Sequence, residues 1–443
     1  MSLLSYEFTD KKVSPWGGIR MVQELYLKSG LKEIIESLDL HQPGSNRGFK
    51  PVDVIEGFLV SVLLGARRMA HSEVLRHDEI IREIFQWKRQ LPSQSTYSRF
   101  FRKYTMEDND KIFPVLQREW FSNMSLDKHT IDLDSTVITR YGRQDGVEKG
   151  YNPKKPGRGS HHPLMCFSAE LKMVVNAYMR SGDSASSTDM DRFITEMLDI
   201  LGNEKIGLIR ADSGFSGSAI LERLEREQLG YIVAAKMTPG LGNMIYVQKD
   251  WLPFSEEKEV GMDSCSFEWR AKGWKKSRRI VLIRKDKEKH EQSGGKLLFP
   301  ELEEFSKYKY VAFITNREDS SVMVWRMYNQ RAECENRIKE LKMDYGIEGF
   351  CLDSMWATEH AFRWVMVAHN LMALFRLTLL RNRKHVPRKS TIQFQCIAIG
   401  SYLTKSGRKT VLKLSAKEKR KEFLEGLFKN LSGVSPPFQF SNA

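Results

Sequence analysis

Apolar residues recur every three or four positions through IRMVQELYLKSGLKEIIESL, and that period predicts amphipathic helix. The run VDVIEGFLVSVLLGA predicts a more deeply buried helix, and shorter amphipathic pieces make residues 1–125 mainly helical. Within them, LPSQSTYSRFFRKY opens on Pro and Ser start signals ahead of a helix carrying Arg99, Arg102 and Lys103. Such a helix resembles the second helix of a helix-turn-helix unit, which lies in a groove of DNA; an ordinary packing helix with exposed bases reads the same way.

The pattern changes at Lys128. HTIDLDSTVITRY alternates as a strand does, and PLMCFSAE with LKMVVNAYMRS predicts a hairpin turning at Glu170 and Leu171. A helix follows from Thr188 to Leu201, then KIGLIRADSGF as a buried strand ending in a turn, helix SGSAILERLEREQ and strand YIVAAK. Three successive strands followed by alternating helix and strand predict an α/β fold with a ribonuclease-H-like mixed sheet; an alternating α/β fold of another kind fits the same pattern. The expected organisation is a helical DNA-binding region over 1–125, a first part of the catalytic core over 126–236, a β-rich insertion over 237–320, core helices over 321–382 and a basic region over 383–443. The segment MWATEHAFRWVMVAHNLMALFRLTLL is apolar on nearly all sides, so a buried helix packed on the sheet is expected. The tail is expected to be helical between Ser415 and Asn430.

Charge adds a partner to this outline. Seventy Lys and Arg against 56 Asp and Glu give +14 and a pI near 9.4, which favours a polyanion such as nucleic acid over an acidic small substrate. The excess concentrates in Arg381–Asn430, with 14 Lys and Arg against three acids, and in Ala271–His290, with nine against two. Trp269 and Trp274 border the second run, where base stacking beside phosphate contacts is a natural reading, although such runs are also ordinary solvated surface. The five cysteines are scattered without a C-x-x-C pair, which argues for a reducing compartment and against zinc. Neither a secretory leader nor an apolar run long enough to span a membrane is read, so a cytoplasmic, nucleoid-associated protein is expected.

In YNQRAECENRIKELK, Tyr328, Arg331, Glu335 and Lys342 are spaced so that one continuous helix would gather them within a ~60° arc. Glu333 and Glu340 would lie more than ~120° away, so Glu335 is the acid of that face, unless the helix is simply a solvated one with i,i+4 pairs. Upstream, Asp134 in LDST and Asp212 in RADSG end predicted strands, where functional groups of open sheets collect. Three carboxylates from separate elements could hold two divalent ions ~3.5 to 4 Å apart. Oxygen ligands suit Mg²⁺, or Mn²⁺, better than zinc. Asp132 shares the strand face of Asp134 and is its rival. His161 and His162 read as turn and strand-edge residues rather than ligands.

The motifs LDSTV, RADSGF and Y-x₂-R-x₃-E-x₆-K, in this order, resemble those of bacterial insertion-sequence transposases of the DDE type, in the group with the Tyr-Arg-Glu-Lys signature. The resemblance runs from Lys128 to Lys342 and, less specifically, takes in the helical start. It implies a ribonuclease-H-like core in which Asp134, Asp212 and Glu335 are catalytic and bind two Mg²⁺, while Tyr328, Arg331 and Lys342 grip DNA phosphates. It further implies double-stranded DNA partners, namely terminal inverted repeats and target DNA, a homodimer in the synaptic complex, and a β-rich insertion before the glutamate. The competing readings are a non-catalytic DNA-binding regulator and a ribonuclease-H-fold nuclease without strand transfer. A tyrosine recombinase, built on Arg20, His360, Arg363 and Tyr402, spreads its residues too widely for one compact catalytic domain.

Overall fold

A computed structural model describes residues 3–256, 259–287, 307–381 and 386–440. Residues 288–306 of the expected insertion, including the last three positions of the basic run to His290, lie outside the described residues, as do 382–385 of the basic tail. The chain divides into two units, a helical one of residues 3–125, 141–147 and 338–440 and a sheet-containing one of 126–140 and 148–337.

The N-terminal periodicity becomes helices α1 (Ile19–Lys28), α2 (Leu31–Ser37), α3 (Pro51–Leu63), α4 (Ser72–Arg76), α5 (Glu79–Phe85), α6 (Gln94–Phe101) and α7 (Met106–Ser122). Gly30, at φ 72°, ends the first predicted helix and starts the second, a left-handed conformation that glycine adopts without a steric cost. Ser93 caps α6 through a hydrogen bond from the Thr96 N–H, and the helix stops at Phe101, so Arg102 and Lys103 lie beyond its end.

In the second unit the buried runs form β1 (His129–Ser135), β2 (Leu164–Ser168), β3 (Met173–Tyr178), β4 (Ile206–Ala211) and β5 (Tyr231–Ala234). β1 is parallel to β4, and β4 to β5, whereas β2 and β3 fold back antiparallel as the predicted hairpin. Helices α8 (Met190–Leu201) and α9 (Ser218–Arg226) connect β3 to β4 and β4 to β5. After α10 (Pro239–Tyr246), strands β6 (Leu252–Pro253), β7 (Met262–Trp269), β8 (Arg278–Asp286) and β9 (Tyr308–Thr315) continue the same sheet, because β9 pairs antiparallel with β5. The result is one nine-stranded mixed sheet ordered β6-β7-β8-β9-β5-β4-β1-β2-β3.

The single helix expected from Tyr328 to Lys342 is broken into α11 (Ser321–Asn329) and α12 (Ala332–Met343). An unbroken helix would bond the Arg331 N–H to the Met327 carbonyl. That carbonyl instead accepts the Arg210 guanidinium at 2.5 Å, and the Arg331 N–H turns to the Tyr328 carbonyl at 2.9 Å. Arg210 sits opposite Asp132 in the parallel β1–β4 register and clamps it with two bonds of 2.6 and 3.0 Å. Both side chains are buried, and Arg337 Nη1 lies 3.9 Å from the same carboxylate.

Helix α13 (Met355–Leu379) is buried almost throughout, as its sequence requires, but it packs among α1, α3, α6, α7 and α14 (Glu418–Ser432) rather than on a sheet. A helix apolar on all sides needs cover all round, and surrounding helices supply it. His360 Nδ1 lies 2.7 Å from Asn109 Oδ1 and Arg363 pairs with Glu359 at 2.9 Å, so the H-x-x-R residues serve this core. Ahead of α14, β10 (Ser401–Ser406) and β11 (Lys409–Leu414) form an antiparallel hairpin that the sequence pattern does not announce, with the short strand Val13–Ser14 paired to β10.

Two outcomes follow from these buried polar groups. Burial, aided by Lys205, pulls the His129 imidazole at the start of β1 down to about 4. A histidine depressed in the folded state contributes stability above its unfolded value near 6.5, lost as pH falls toward 4. His129→Gln should therefore shrink the loss of stability between pH 7 and pH 4.5 by on the order of 2 kcal/mol, read from urea midpoints. Arg210→Leu, which strips a buried carboxylate of its main partner, should cost about 3–5 kcal/mol in denaturant unfolding, and adding Asp132→Asn should recover part of that loss.

Candidate active site

β1 and β4 are parallel neighbours with Leu133 opposite Ala211, so Asp134 and the following Asp212 reach the carboxyl ends of adjacent strands at one level. Asp134 is 7% exposed and its Oδ1 accepts the Ser135 N–H at 2.8 Å. Asp212 starts a tight turn, its Oδ1 accepting the Gly214 N–H at 2.9 Å. A Cβ at Gly214 would lie 2.7 Å from Ser186 Oγ, so a side chain there would have to displace the serine hydroxyl. The rival Asp132, on the same strand face, is fully buried in the Arg210 clamp.

The helix break turns Arg331 inward onto this pair. Its Nη2 donates to the Leu133 carbonyl at 3.1 Å and lies 3.1 Å from Asp134 Oδ2, while Nη1 lies 3.8 Å from Glu335 Oε1. Glu335 faces outward, its side chain 72% exposed. Tyr328 packs on Phe313 with ring centroids 4.5 Å apart, and burial pushes its phenol up, Asp212, Asp134 and Glu335 adding to the shift against Arg331. Asp134, Asp212, Glu335, Tyr328 and Arg331 thus form one electrostatic cluster.

Burial pushes the Asp134 carboxyl up to about 6; Arg331 opposes this, and Asp212 and Glu335 reinforce it. Burial works most strongly against the Arg331 charge, yet Asp134, Tyr328, Cys334 and Asp212 together hold the guanidinium above its usual range. Cys334 Sγ lies 3.9 Å from Asp134 Oδ2, and its thiol is pushed well up by burial and by Asp134. Among the described residues no group of three His, Cys, Asp or Glu side chains is close enough to hold a metal ion. Arg331 instead pairs with Asp134 and Glu335, and Asp212 acts on it only as a further charge. Their chemistry nonetheless suits a hard divalent cation, since all donors are oxygens and the negative charge exceeds what Arg331 balances.

The other sequence candidates are dispersed. Lys342 falls in the helical unit, where it pairs with Glu348 at 3.6 Å. Arg99, Arg102 and Lys103 are exposed; Arg102 pairs with Asp353 at 2.7 Å and Lys103 Nζ lies 3.5 Å from the Gln42 carbonyl. Trp274 is buried beneath Arg278, 4.8 Å from its ring centroid, with Trp269 edge-on at 5.6 Å. Arg210 and Arg337, absent from the sequence candidates, tie β4 to α11 and α12 to the end of β2 through the Met327 and Ala169 carbonyls. Arg210 had a signal, since it stands two residues before Asp212 within a run otherwise read as apolar.

No helix among the described residues is long and apolar enough to cross a membrane. Comparison with curated proteins finds no match. Among solved structures, the chain is similar to the piggyBac transposase in a synaptic complex with hairpin DNA, determined by cryo-EM, at 13% identity and a TM-score of 0.43, covering 94% of this chain and 79% of that one. The family model described as transposase DDE domain group 1 matches residues 2–436. The chain therefore belongs to the DDE transposases and is a DNA-cleaving and joining enzyme.

Proposed function

We propose that this chain is the transposase of a bacterial insertion sequence, which binds the terminal inverted repeats as a homodimer, cleaves the element's ends by phosphodiester hydrolysis and joins the freed 3′-hydroxyls to target DNA. The observation that carries the reading is the placement of Asp134 and Asp212 at adjacent carboxyl ends of β1 and β4, with Arg331 bridging Asp134 to Glu335. The strand order β3-β2-β1-β4-β5, with three antiparallel strands followed by two parallel ones, supports a ribonuclease-H-like core.

Asp134, Asp212 and Glu335 are the catalytic carboxylates and would hold two Mg²⁺, or Mn²⁺. When bound, such ions activate water and stabilise the leaving oxygen in phosphodiester cleavage. Arg331 orients Asp134 through its bonds to that carboxylate and to the Leu133 carbonyl, and limits the repulsion among the acids. The Tyr328 phenol, kept protonated by burial and by the surrounding carboxylates, donates to a DNA phosphate oxygen. Lys342 supplies a further phosphate contact, and Arg99, Arg102 and Lys103 belong to the DNA-binding surface of the helical region. Both hydrolysis and joining are phosphoryl transfers at the same three acids.

The test uses duplexes that span the two junctions between the element and its flanking DNA. Asp134→Asn, Asp212→Asn and Glu335→Gln should each reduce Mg²⁺-dependent cleavage by more than the roughly 10–100-fold that loss of a mere supporting partner costs, with gel-shift affinity in EDTA little changed. Cleavage retained by any of the three overturns the assignment of that residue. Cleavage without 3′-end joining by the wild-type chain would favour a simple nuclease.

A further inference from the structure

The hairpin β10–β11 gives the concentrated charge of the C-terminal region a shape. Between Ser401 and Lys417 the chain carries Lys405, Arg408, Lys409, Lys413 and Lys417 and no Asp or Glu. All five are exposed, and so is Lys419 at the start of α14. A number of surface cations elsewhere are compensated, as in Lys111–Glu107 at 2.6 Å, Lys275–Glu222 at 2.8 Å and Arg326–Glu256 at 2.7 Å. Among the described residues, none of these six C-terminal cations forms an ion pair within the chain.

The local geometry presents this charge outward. Ser406 pairs with Lys409 across a two-residue turn that contains Gly407 at φ 60°. A Cβ at Gly407 would meet no atom within 4 Å, so the tip stands clear of the rest of the chain. Cross-strand pairing puts Lys409 and Lys413 on one face with Tyr402, which is 39% exposed and has Lys11 Nζ 5.2 Å from its ring centroid. A two-stranded ribbon is one of the two protein elements that a DNA major groove admits. Uncompensated cations on such a ribbon are suited to releasing counterions from phosphates.

We propose that the β10–β11 hairpin, with the start of α14, is a second DNA-docking surface that holds duplex through its phosphate backbone, independently of sequence. The proposal rests on the transposase reading for its choice of polyanion. It differs from that reading in placing affinity on the hairpin as well as on Tyr328, Lys342, Arg99, Arg102 and Lys103.

The experiment measures binding of a random-sequence duplex across a salt series in EDTA, which removes cleavage from the readout. The triple variant Lys405→Gln, Arg408→Gln, Lys409→Gln should flatten the plot of log affinity against log salt by about 0.9 for each phosphate no longer neutralised, close to three units in all. A charge-matched control, Lys111→Gln, Arg226→Gln, Arg317→Gln, takes cations that already have acidic partners and should leave the slope near wild type. Equal slopes for the two triples, with both proteins folded by circular dichroism, would overturn the hairpin surface while leaving cleavage at the acids untouched. A wild-type chain that binds no duplex would overturn both readings. Loss confined to vesicles of phosphatidylserine and phosphatidylcholine, with duplex binding intact, would assign the hairpin to lipid and overturn the proposal.

Discussion

The buried pair of Asp132 and Arg210 governs the arrangement of the acids. Two charges withdrawn from water rarely add net stability, because desolvation offsets most of their attraction. What this pair does is geometric. With Asp132 engaged on two nitrogens, Arg210 has its third directed at the Met327 carbonyl, and the helix that would otherwise run on through Arg331 ends at Asn329. Only with that break does Arg331 reach Leu133 and Asp134.

The second consequence is electrostatic. Asp134 and Glu335 share one guanidinium, and the carboxyl of Asp134 is held near 6 by burial and by the charges of Asp212 and Glu335. A cluster arranged for stability alone would match each acid with its own base, as Asp132 is matched. Excess negative charge at a strand end is instead what a site that recruits cations requires. The same logic, with the sign reversed, distinguishes the β10–β11 hairpin, whose cations are left without acids while those on many other surfaces are paired.

Much of this was legible from residue order. The 3.6-residue period located the N-terminal helices, and alternation followed by apolar runs located β1 to β5, because local burial patterns reflect which faces meet the core. Asp134 and Asp212 could be named because each ends an apolar strand. The continuous helix from Tyr328 to Lys342 was a sound local inference that a distant side chain overrode: Arg210 is more than a hundred positions from the carbonyl it takes. The packing of α13 among helices, and the hairpin after it, likewise depend on partners that no local period encodes.

The sequence alone therefore determined the kinds of element, the acids available at strand ends and a basic surplus near the C-terminus, all of which follow from local patterning and composition. Tertiary structure decided which aspartate is clamped and which faces the site, that Arg331 turns inward onto Asp134, and that the surplus charge is carried on a ribbon. These are outcomes of long-range contacts, in which a buried charge must find its partner wherever the fold brings one within hydrogen-bond reach.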